Sequence, residues 1–190
     1  MEGKTSQNSN TPTLQHSNTP PLQHSHPFQM TAVRLHLVFV HLPVVGCLIA
    51  LAILLLAHKL REEIVFKIGY GILLFCTFSS VVAYISGGYA YEGLDSNPSI
   101  QSEQTDPHAL IARAAFMLMV VAGVATLSVF LQYLQGEKPH LWHRRGILIA
   151  AFILVYLFAW AAHLGGRIRH EEIRGASYLF PEIQWSESKE

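Results

Sequence analysis

Four apolar runs alternate with short polar stretches along the chain, from about Thr31 to Ala57, Val65 to Ser86, Pro107 to Leu134 and Leu141 to Gly165. Each exceeds the roughly 20 residues that an α-helix needs to cross a hydrocarbon layer about 30 Å thick. Short connections make consecutive spans antiparallel neighbours, and an even number of spans returns both chain ends to one edge. The predicted fold is all-α, an integral membrane up-down four-helix bundle.

Local signals set the predicted ends. The charges of LAHKLREEIVFK cannot stay in lipid, and Pro139 in QGEKPH cannot continue a helix. Asp106 followed by Pro107 reads as the start of the third helix, a carboxylate capping free N–H groups and a proline taking the first position. Trp142 near one edge, and Trp160, Tyr84, Tyr89 and Tyr91 toward the other, suit interfacial aromatic belts. Gly69, Gly71, Ser79, Ser80, Ala112, Ala115, Gly123 and Ala125 are small residues that let helices approach closely.

Outside the runs the chain changes character. Residues 1–29 hold an eight-residue repeat, SNTPTLQH at Ser9 to His16 and SNTPPLQH at Ser17 to His24. Their composition cannot bury a core, so this tail is expected to be disordered and to lie upstream of a native start at Met30. The four-helix transmembrane domain is then 30–175, and 176–190 is a polar C-terminal tail. The predicted loops at one edge carry Lys59, Arg61, Lys67, Lys138, Arg144 and Arg145. The stretch Gly87 to Thr105 has no Lys or Arg and holds Glu92, Asp95 and Glu103. The positive-inside bias places that acidic stretch and both termini outside a cell inner membrane.

Composition agrees with the pattern and removes some functions. The 190 residues are 51% hydrophobic and 14% charged, against about 25% charged in a soluble domain. Net charge is zero, so no electrostatic footprint for nucleic acid exists. Cys47 and Cys76 lie inside apolar runs and form no CxxC or CxxCH, which makes them small packing residues. No Asp or Glu lies within a span, and GxSxG, HExxH and phosphate-binding glycine loops are absent. Catalysis of the soluble type is not expected.

Histidines supply the candidate chemistry. Counting from the span midpoints at about 1.5 Å per residue puts His41 roughly 9 Å, His163 roughly 13 Å, His36 roughly 16 Å and His108 roughly 20 Å toward one edge. Imidazole in hydrocarbon is expensive unless paired, and neutral imidazole is a ligand for haem iron or another redox metal. His41 with His163 is the pair expected to ligate a haem b. His36 and His108 share the layer, Gly165 and Gly166 allow close approach of a ligand, and Arg113 and Arg167 are placed to meet propionates. His58, His140 and His143 belong to the opposite edge and read as solvated.

Three phrases, HLPVVGCLIALAILLL, SGGYAYEG followed by DPHALIARAA, and LGGRIRHEEIRG, together resemble the bacterial membrane proteins grouped as domain of unknown function 2231. The resemblance covers about Arg34 to Gly175. It implies a four-helix inner-membrane domain in a redox setting, because some relatives are joined to a Rieske iron–sulfur domain, and it marks His41 with Pro43, His108, Gly165 and Gly166 as family-like. This chain departs in having no attached soluble redox domain. Its ending, RIRHEE, also lacks the expected aromatic residue beside the basic one.

Two functional readings follow. One is an electron-transfer subunit in the lipid bilayer, binding haem b or a redox metal and passing electrons to a partner protein. The other is a cofactor-free scaffold or assembly subunit that packs against other membrane helices. A metal-binding outer face using the acidic stretch and His108 is a third arrangement.

Overall fold

The computed structural model describes residues 27–95 and 102–169. They form four helices: α1, Pro27–Leu60; α2, Glu63–Asp95; α3, Ser102–Leu134; and α4, Leu141–Arg169. Each helix packs on its neighbours in chain order, and α4 closes the ring against α1, while the diagonal pairs meet only through side chains. Both described ends, at Pro27 and Arg169, therefore lie at one edge. The apolar spans within these helices are Thr31–Leu60, Glu63–Tyr91, Thr105–Leu134 and Leu141–Ile168.

The outer ends run further than the apolar pattern. Pro27 to Gln29, assigned by sequence to the tail, open α1, and α2 continues through Gly87 and Gly88 to Asp95. Glycine weakens a helix by about 1 kcal/mol relative to alanine, so sequence places an end there. Packing reverses that preference, as the functional site shows. Helix α3 starts at Ser102 with Pro107 inside it, and the Asp106 carboxylate accepts a 2.7 Å hydrogen bond from the Tyr91 hydroxyl, joining α2 to α3. The expected helix start at Asp106 and Pro107 thus moves one turn earlier. The rest of the expected N-terminal tail, 1–26, the last residues assigned to the transmembrane domain, 170–175, and the expected C-terminal tail, 176–190, lie outside the described residues.

The core explains why the bundle needs lipid around it. Cys47, Leu54, Tyr70, Leu73, Met119, Val129 and Leu154 are fully buried, whereas Val38, Phe78, Val121, Val124 and Leu134 are each more than 60% exposed. Large apolar side chains left outside on every helix suit hydrocarbon and not water. Four hydroxyls are satisfied within their own helix: Thr77, Ser79, Ser86 and Thr126 each donate to the carbonyl four residues back, at 2.7–2.9 Å. Glycine brings the helices together at specific points. A Cβ at Gly69 would stand 2.7 Å from Leu54, and one at Gly123 would stand 2.5 Å from Thr77.

The turns at the basic edge use one device twice. Gly136, at φ 79°, ends α3, with Glu137 N–H bonded to Gln132 O at 2.9 Å and Gly136 N–H to Tyr133 O at 3.3 Å. That is the paired bonding of a Schellman cap. Arg61 holds the corresponding left-handed position after α1, at φ 61°. His140 starts α4 by accepting the Trp142 N–H on Nδ1 at 3.4 Å, so it caps a helix. His58 is half-buried, edge-on to Phe66 at 4.9 Å, with Nδ1–H donated to Leu54 O at 2.8 Å. Arg144 covers Phe66 at 4.7 Å and Tyr133 at 5.5 Å, fastening the two turns together.

Candidate functional site

His36 on α1 reaches across to α2, where its Nδ1 lies 2.8 Å from Ala83 O. A carbonyl oxygen only accepts, so Nδ1 carries the hydrogen, and in neutral imidazole the Nε2 atom is left as a lone pair. A regular helix already bonds Ala83 O to the N–H four residues on, which is that of Gly87. Room for a second donor exists because residue 87 has no side chain: a Cβ there would stand 2.9 Å from His36 Cε1 and Nδ1.

The other hairpin repeats the arrangement. His108 on α3 places Nδ1 2.9 Å from Ala161 O on α4, and a Cβ at Gly165, four residues beyond Ala161, would stand 3.2 Å from His108 Cε1. The two half-buried imidazoles come from diagonal helices, at the same edge of the bundle. Each is held by the second hairpin element of its own half. The site is therefore a pair of clips with one unassigned nitrogen on each ring.

The sequence pattern named His36, His108 and Gly165 as site residues but made His41 and His163 the ligand pair. His41 is exposed on α1, its Nδ1–H bonded to Leu37 O of its own helix. Five residues from His36 corresponds to about 140° around the helix, so when His36 faces α2, His41 faces outward. His163 is half-buried on α4, two residues from Ala161, and Gly166 and Arg167 are half-buried beyond it. Arg34 and Arg113 are exposed, which suits snorkelling to headgroups. The structure brings together His36 with Gly87 and His108 with Gly165, and leaves His41 and Arg113 on outer faces.

Ala83 and Gly87 were missed as partners of His36, yet a signal for them exists. The second helix of each hairpin carries alanine, three residues and a glycine pair, AYISGG at Ala83 to Gly88 and AAHLGG at Ala161 to Gly166. The first helix of each carries a histidine and, five residues on, another basic side chain: His36 with His41, and His108 with Arg113. The chain is built as two similar hairpins. The contact that pairs histidine to alanine spans 47 residues in one half and 53 in the other, so spacing alone hides it.

Among the described residues no three His, Cys, Asp or Glu side chains converge on one point. A closed four-ligand zinc site is thus not built from them. An apolar cavity of about 260 Å³ lies near His36 between α1 and α2, lined by Thr31, Ala32, Leu35, Val82, Ile85, Ser86 and Tyr89. Comparison with protein-family models, curated proteins and solved structures finds no match for this chain.

Proposed function

We propose that this four-span membrane protein is an electron-transfer subunit in which His36 and His108 supply imidazole nitrogen to a redox metal, with the iron of haem b the best suited. One observation carries the reading: both rings donate Nδ1–H to a backbone carbonyl. A hydrogen bond from the ring nitrogen that does not face the metal fixes the tautomer of a metal-bound histidine and raises its basicity. The donor chemistry fits haem iron, which takes two neutral imidazoles without needing a charged ligand in hydrocarbon. When bound, haem supplies one-electron chemistry, while the protein holds the two rings, sets their orientation and surrounds them with apolar helix. Half-buried Arg167, one turn past His163, is the cation offered to a propionate.

The resemblance to the family of domain of unknown function 2231 belongs to this proposal, as does placement in a cell inner membrane with the histidine edge outward. The alternative, a cofactor-free scaffold, is favoured by a different feature: the imidazoles themselves fill the notches at Gly87 and Gly165 and join helices without a cofactor.

Absorption spectra separate the two. Protein purified in mild detergent, from cells supplied with a haem precursor, is expected to show a reducible Soret band. That band is expected to vanish in His36→Ala and in His108→Ala and to persist in His41→Ala. A folded, colourless protein would transfer the function to the scaffold reading. A band lost only in His41→Ala or His163→Ala would restore the pairing expected from sequence.

A further inference from the structure

The centre of the bundle holds three sulfur atoms that the histidine site does not use. Cys47 on α1, Cys76 on α2 and Met119 on α3 are each 0% exposed. Their spans have midpoints at about residues 45, 77 and 119, so all three lie within roughly 3 Å of the bilayer midplane. The Cys47 thiol points at Met119 Sδ over 4.0 Å. Cys76 Sγ sits 3.9 Å from Leu42 O, in a notch made by Gly46, where an added Cβ would collide with the sulfur. Sequence spacing reads the cysteines as separate packing residues, and the fold makes them neighbours.

We infer that Cys47, Cys76 and Met119 form a binding site for a soft monovalent metal ion, Cu(I), at the membrane midplane. Thiolate and thioether are soft ligands and select Cu(I) over harder ions. With metal–sulfur bonds of about 2.3 Å, two sulfurs 4.0 Å apart subtend about 120° at the metal, the angle of trigonal coordination. Little movement of Cys47 and Met119 is therefore needed to admit an ion between their sulfurs.

Charge decides against other metals. One Cu(I) ion binding with loss of one thiol proton forms an S–Cu bond, releases H⁺ to bulk water and leaves the core neutral, with the second thiol and the thioether as neutral donors. No oxidation state changes. A divalent ion on the same groups would leave net charge in hydrocarbon unless both thiols ionised, and it would lack the fourth ligand of a closed zinc site.

The test is an anaerobic titration of the whole purified protein with Cu(I), in competition with a coloured Cu(I) chelator and followed by X-ray absorption. One ion per chain with sulfur-only coordination is expected. Affinity should fall by more than about a hundredfold in Cys47→Ser and Cys76→Ser, which remove a sulfur ligand each. It should fall less in Met119→Leu, which conserves volume, and stay unchanged in His36→Asn with His108→Asn, which tests independence from the outer pair. Nitrogen coordination, no bound ion, or binding that survives both cysteine substitutions would overturn the proposal. So would an isolated protein whose mass shows the loss of two hydrogens to a Cys47–Cys76 disulfide. If the serine variants do not fold, the coordination measured on the unaltered protein still decides.

Discussion

In the α1–α2 hairpin the imidazole of His36 fills its notch so tightly that a Cβ on Gly87 would stand 2.9 Å away, whereas in the α3–α4 hairpin the equivalent distance, from Gly165 to His108, is 3.2 Å. The first hairpin is also sewn at more points, with Gly46 against Cys76 and Gly69 against Leu54. The same clip thus sits in a closely fitted seam in one half and in a looser seam in the other. Equivalent residues in the two halves should not be equally sensitive.

The largest contrast lies at the glycines. Overpacking a fitted core costs about 1–3 kcal/mol, while replacing a helical glycine by alanine returns about 1 kcal/mol of helix propensity. In Gly87→Ala the ring must leave its carbonyl, so the net loss is expected near about 2 kcal/mol. In Gly165→Ala the two effects nearly cancel and the change is expected within about 0.5 kcal/mol of zero. Unfolding titrations in mixed detergent and SDS, followed by circular dichroism, measure both. Equal losses in the two variants would show that the seams are equivalent.

The basic-edge turns invert that contrast. At Gly136 an added Cβ meets open space, so Gly136→Ala isolates the left-handed backbone itself, and a loss of about 1 kcal/mol is expected. Arg61 already carries the strain that glycine avoids, so Arg61→Gly is expected to stabilise by less than about 1 kcal/mol, part of the gain being offset by a freer unfolded chain. The same titrations serve. Destabilisation by Arg61→Gly would mean that its side chain, and not its backbone, holds the turn.

How much of this was legible depends on the range of the signal. Four helices followed from runs of Leu, Ile, Val and Phe longer than a bilayer needs, because span length is a local property. The outer ends were misplaced because Gly87 and Gly88 read as breakers, and only His36, 47 residues from Ala83, shows why a helix accepts them there. His36 and His108 were expected near one edge from their depth, and each makes a bond across its hairpin there. His41 was assigned as a ligand from depth as well, but depth does not fix azimuth, and azimuth is set by which face of α1 meets α2. Cys47 and Cys76 illustrate the same limit, since 28 intervening residues separate them and the fold seats Cys76 Sγ against Gly46, the residue before Cys47.

The smallest expected effect on stability distinguishes what the clips are for. A cross-helix hydrogen bond in a membrane bundle contributes only about 0.6 kcal/mol on average, so a histidine kept for that bond alone could be replaced at little cost. Asparagine places an amide N–H near the position of imidazole Nδ1 and has nothing at the position of Nε2. His36→Asn and His108→Asn should therefore preserve the bonds to Ala83 O and Ala161 O and change stability by less than about 0.6 kcal/mol. The same variants should abolish the reducible Soret band, because the atom removed is the one offered to iron. If the band survives in both while stability falls, His36 and His108 are helix fasteners and the haem ligands lie elsewhere. If stability holds and the band is lost, the Nδ1 bond serves to present Nε2, and the weaker effect on folding identifies the stronger effect on function.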